Sequence, residues 1–137
     1  MTKIPTEVSA VFDQMPKEAR DTLLKVRNFI LEVAQDNPHI GPVEETLRWG
    51  EPAYITVNKK TGNTLRLGVE RASGHPALFF NCKTKLVEQF RQQFGDDLRY
   101  SKNRAVLIDT DVDGIAQELQ TCIAAALSYH LRTAQAG

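Results

Sequence analysis

Apolar positions recur along the chain first with the spacing of helices, then with that of strands, and then with that of helices again. Thr6 to Met15 reads as a short amphipathic helix with Val8, Val11 and Phe12 on one side. Pro16 breaks it and can stand as the first residue of the next helix, where a fixed φ fits and a missing N–H costs nothing. That second helix runs to about Asp36. Leu23, Val26, Ile30 and Val33 form its buried stripe, and Leu24, Phe29 and Leu31 widen it. Asn37-Pro38 ends it, because the residue before proline avoids the α region.

The middle of the chain alternates with the period of strands. From Thr64 to Glu70, Leu65, Leu67 and Val69 point one way, and Arg66, Gly68 and Glu70 the other. Tyr54 to Val57 is predicted as a short strand before it, joined through Lys59-Lys60-Thr61-Gly62-Asn63 as a hairpin-type connection. Ala77 to Phe80 reads as a further apolar strand. Ala105 to Ile108, apolar throughout, reads as a central one. Between these two, Thr84 to Phe94 is helical, with Thr84 as N-cap and Gly95 just past its end. A last helix starts near Asp111 to Gly114 and runs to about Thr133, with Ile115, Leu119, Cys122, Ile123, Ala126 and Leu127 on its apolar face.

Strands joined by tight turns favour an antiparallel sheet. The predicted fold class is α+β: an antiparallel β-sheet with the N-terminal helices and a long C-terminal helix packed on one face. The other face is then open to solvent, a ligand or a partner. No repeat or linker interrupts the pattern, so residues 1–137 read as a single domain.

Composition narrows the function. The chain has 137 residues, 42% hydrophobic and 25% charged, which excludes a disordered or low-complexity protein. Lys plus Arg equals Asp plus Glu at 17 each, so the basic excess of a general nucleic-acid or anionic-membrane binder is missing. Met1 to Ala10 has no apolar signal-peptide core, and no apolar run approaches the roughly 20 residues of a membrane span. These features predict a cytoplasmic protein, either monomer or homodimer, that contacts neither nucleic acid nor membrane. Cys82 and Cys122 form no metal or redox motif and read as two small buried side chains.

Several groups could carry chemistry. Asp109 to Gly114 has the DxDxDG opening of a calcium loop. Its twelfth position is Gln120 rather than Glu, however, and a strand precedes it, so these aspartates read as caps of the last helix. His130 reads as a structural histidine beside the packed face, and His39 and His75 lie in loops. Lys83, Lys85, Arg91, Arg99, Lys102 and Arg104 are interleaved with acids, as on a solvated face. Glu7, Asp13, Glu18, Asp21, Glu32 and Asp36 on the first two helices alternate with Lys17, Arg20, Lys25 and Arg27, as ordinary surface charge does.

Trp49-Gly50-Glu51-Pro52-Ala53-Tyr54 is different in kind, with the chain's single Trp, a Gly, a Pro and a Tyr within six residues. Structurally it is a bend into the first strand, with Trp49 as a core anchor. Functionally, Trp49 and Tyr54 would line a pocket on the open sheet face. The candidate ligand-binding residues are Trp49, Gly50, Pro52 and Tyr54, with Lys83 and Arg104; no catalytic and no metal-ligating residue is assigned.

Glu44 to Tyr54 resembles the signature of the YdhG-like family, catalogued as domain of unknown function 1801. Phe79 to Val87 and Asn103 to Ile108 resemble it as well, in the same order. The resemblance implies a compact α+β fold with an antiparallel sheet. It establishes no catalytic residues. One distantly frataxin-like branch is described as an intracellular iron chaperone. The leading expectation is thus a non-enzymatic domain that binds an unknown small molecule or protein without a cofactor. The alternative is a frataxin-like iron-binding protein, iron being implied by the resemblance alone. A third reading is an enzyme with a dispersed site using Arg104, His75 or Asp109.

Overall fold

The computed structural model describes residues 3–58, 61–109 and 111–131. Helices α1 (Thr6–Asp13) and α2 (Lys17–Asp36) lead into strands β1 (Val43–Arg48), β2 (Glu51–Thr56), β3 (Leu65–Val69) and β4 (Pro76–Phe79). Helix α3 (Leu86–Phe94) follows, then β5 (Arg99–Ser101), β6 (Ala105–Leu107) and helix α4 (Ala116–Leu127). Short 3₁₀ turns stand at Gly95–Asp97 and Val112–Ile115. The sheet order is β1-β2-β3-β4-β6-β5, and every pairing is antiparallel.

Strand alternation sorts the side chains into two layers. Tyr54, Leu65, Leu67, Leu78, Phe80, Val106 and Ile108 join one core with Val8, Phe12, Leu23, Val26 and Ile30 of the first two helices and Leu119, Ile123 and Leu127 of α4. Ala77, Phe79, Ala105 and Leu107, on the alternate positions, make a separate small cluster. Helices α1, α2 and α4 all pack on the sheet. The helices therefore cover one face, as the pattern of the chain predicts. Burying each Leu or Ile of this core contributes roughly 1.5–3 kcal/mol.

A polar network crosses the helix–sheet interface. Arg27 lies on the inner side of α2, one turn from Leu23 and Ile30, and is 2% exposed. Its guanidinium holds the Glu45 carboxylate through Nε to Oε2 at 2.5 Å and Nη2 to Oε1 at 2.8 Å. The Tyr54 hydroxyl donates to the same Oε2 at 2.7 Å. Arg27 is thus a core residue and not the surface charge that its neighbours in sequence suggest.

Other expectations change in detail. Strand β1 is additional, and it is hard to read because Glu45 takes a core-facing position between Val43 and Leu47, where an apolar residue is expected. Strand β5 is only three residues long. Lys59 and Lys60 of the β2–β3 connection lie outside the described residues. Beyond them, that connection reshapes the last helix. The Asn63 N–H donates to the Ala126 carbonyl, and the His130 N–H donates to the Thr61 carbonyl rather than to its helical partner four residues back. Helix α4 therefore ends at Leu127, and Thr133 lies outside the described residues. The interruption leaves His130 exposed instead of beside the packed face. Cys122 is buried as expected, but Cys82 is exposed because it falls in the turn after β4. Asp111 accepts from the Asp113 N–H and caps the last 3₁₀ turn. Asp109 pairs with Arg99 at 2.5 Å and Asp113 with Lys25 at 3.0 Å. Thr110 lies outside the described residues.

Candidate functional site

The face of the sheet away from the helices carries a row of register neighbours that runs through all six strands: Thr46, Ala53, Arg66, Phe79, Ala105 and Ser101. A parallel row holds Gly68, Ala77, Leu107 and Arg99. Ala53, Ala77 and Ala105 are wholly covered. Because these residues are so small, the longer side chains lie down on the sheet and leave open space above it. Gly68 shows this most directly: a Cβ there would collide with the Glu51 carboxylate, which rests in the space the glycine leaves. From that position Glu51 forms an ion pair with Arg66. The guanidinium carbon of Arg66 stands 5.3 Å from the Phe79 ring centroid, and that of Arg104 stands 5.6 Å from it. Both are within cation–π range.

The β1–β2 turn projects at the edge of this layer. Arg48 pairs with Glu51, so Trp49 and Gly50 are the two central residues of a tight hairpin. Both have positive φ, 56° and 76°, as a type I′ turn requires. Gly50 adopts this without strain. Trp49 does not, because positive φ is a steric outlier for a bulky side chain, and Asn is the usual occupant of that position. The indole gains no core packing in return, since Trp49 is 89% exposed. The core-anchor reading of Trp49 is overturned. A two-residue turn ending in Gly reverses the chain at this point, so the bulky residue before that Gly is carried out over the sheet edge.

Trp49, Glu51, Arg66, Phe79, Lys102 and Arg104 border a cleft of about 520 Å³. A second hollow of about 390 Å³ shares Trp49, Arg66 and Arg104 with it. Burial pushes the Glu51 carboxyl above its usual range, although the nearby guanidiniums of Arg66 and Arg104 pull it back. Hydrogen bonds from Ser101 and Ser73 hold the Glu70 carboxyl below its usual range. This ties the β3–β4 turn to the end of β5.

The structure brings together only part of the expected pocket. Trp49 and Arg104 line the cleft, and Gly50 shapes the turn that presents Trp49. Tyr54 faces the helices, wholly buried, with its hydroxyl on Glu45. Pro52 is buried on that same side, because residues two apart on a strand share a face. Lys83 is exposed in the turn after β4 and lines neither hollow. Neither do His75 and Asp109, so neither hollow joins Arg104 to the other two residues of the dispersed enzyme site. Glu51, Arg66, Gly68 and Phe79 join the site without having been singled out. Glu51 was within sight beside Trp49, but only strand register shows the rest. No family model, curated protein or solved structure matches this chain. Among the described residues no group of three His, Cys, Asp or Glu side chains could hold a metal ion, and no helix is long and apolar enough to cross a membrane.

Proposed function

We propose that this chain is a cytoplasmic, non-enzymatic binding domain that takes a small organic molecule on the open face of its sheet, beneath Trp49. One observation carries the reading: an indole held fully exposed, in a backbone conformation that disfavours it, at the edge of a cleft. Such strain costs of order 1–3 kcal/mol and persists where a site uses the geometry. Covering the indole with a ligand would recover apolar burial that the free protein forgoes. The cleft volume falls within the range of small-molecule sites. The α+β fold is also the one that a YdhG-like domain would have.

Trp49 is the single tryptophan in the sequence, so its indole N–H gives one resolved NMR cross-peak. Titrating a panel of small-molecule fragments into ¹⁵N-labelled protein should move that peak saturably for some of them. A panel that leaves it unmoved overturns the reading.

A further inference from the structure

We propose that the ligand of this cleft is a planar ring bearing one anionic oxygen group, a carboxylate or a phosphate, and that Arg104 receives the anion. The inference rests on the binding reading above and specifies its chemistry.

The charge around the cleft is uneven, although the chain as a whole is neutral. Four cationic side chains border it against two carboxylates, Glu51 and Glu70. Both carboxylates are engaged, Glu51 by Arg66 and Glu70 by serine hydroxyls, and Arg104 acts on each through its charge without forming an ion pair. Among the described residues the Arg104 guanidinium makes neither an ion pair nor a side-chain hydrogen bond, and it rests near the Phe79 ring. A guanidinium that lies against an aromatic ring keeps its in-plane N–H fork for a carboxylate or phosphate, which matches that fork with two parallel bonds. The exposed indole of Trp49 lines the same cleft and offers a flat apolar surface. A guanidinium with spare donors and an exposed indole select the two halves of one molecule: an anionic head and a flat ring.

The test follows the Trp49 indole cross-peak during titration with 2-naphthoate and with adenosine monophosphate. Their uncharged counterparts, 2-naphthamide and adenosine, and inorganic phosphate serve as comparisons. At least one charged ring should bind about tenfold tighter than its neutral counterpart, the size of one charge-assisted hydrogen bond. Whichever charged ring binds identifies the head group as carboxylate or phosphate. Arg104→Gln should remove that preference, so that charged and neutral rings bind alike. Arg104 is exposed, so the variant should unfold at the temperature of the parent.

Equal affinity for charged and neutral rings, or an unchanged preference in R104Q, overturns this inference and leaves the binding reading standing. Inorganic phosphate that binds as tightly as the charged rings overturns the role of the ring. If neither these probes nor the fragment panel moves the peak, both fall.

Discussion

Arg27 of α2 and Glu45 of β1 form a two-bond ion pair whose side chains are only 3% and 7% exposed. The pair fixes the long helix to the hairpin that presents Trp49. Breaking one half of a buried pair leaves a charge without compensation, typically at a cost of about 3–5 kcal/mol. Glu45→Gln should lose about that much in urea unfolding. The triple replacement R27M/E45L/Y54F should lose far less, because it removes both charges together with the buried Tyr54 hydroxyl that Glu45 accepts from, and restores apolar packing. If the single and triple variants were equally damaged, the side chains would matter for their shape and not for their charge.

Trp49 should behave unlike a core residue. Truncating a buried Trp costs about 3–5 kcal/mol, whereas Trp49→Ala should change stability by less than about 1 kcal/mol. Trp49→Asn should go the other way and stabilise the hairpin by about 1 kcal/mol, raising Tm by roughly 3–4 °C at this chain length. The same variant should no longer bind any ligand that moves the indole signal in the parent. A destabilised W49N would show that the indole supports the fold.

Two glycines should respond differently to the same added methyl. At Gly68 the methyl meets the end of the Glu51 side chain, which can swing away. Gly68→Ala should therefore cost less than about 1 kcal/mol and release Arg66 from its ion pair. At Gly62 the methyl meets the backbone carbonyl of Leu127, which cannot move without shifting the end of α4. Gly62→Ala should cost about 1–3 kcal/mol, the range for overpacking. Thermal unfolding of the two variants side by side decides the order.

Glu51 and Glu70 should tilt stability against pH in opposite senses. The Glu51 carboxyl titrates higher in the folded chain than in the unfolded one, mainly through burial. The folded state then binds more protons in the window just above the ordinary carboxylate range, and stability falls as pH rises through it. Glu70 titrates lower when folded, through the hydroxyls of Ser101 and Ser73. Its contribution is full above the unfolded pKa and is lost as pH falls through the folded one. In chemical unfolding across this range, Glu51→Gln should remove the first slope and Glu70→Gln the second. An unchanged pH profile in either variant would refute that assignment.

The helices were readable from the chain because their signal is local. The stripe Leu23, Val26, Ile30 and Val33 repeats every three to four residues, and Asn37-Pro38 marks its end; α2 has the limits these residues imply. The strand from Leu65 to Val69 was readable for the same reason. β1 was not, because its core-facing Glu45 is satisfied by Arg27, eighteen residues earlier, and by Tyr54, nine residues later. A charge at an apolar position looks like surface until its partner is known.

The candidate site divides in the same way. Trp49-Gly50 announces a turn, and the small and polar residues of the strands announce a face without helices. Which residues meet on that face depends on register. Ala53 opposite Arg66, Arg66 opposite Phe79 and Phe79 opposite Ala105 bring together side chains from four strands. Residues two apart along a strand share a face, which separates Glu51 and Ala53 from Pro52 and Tyr54. Local periodicity therefore sets the elements and their buried sides. Long-range strand pairing, stabilised by the core as a whole, sets the company that Trp49 and Arg104 keep.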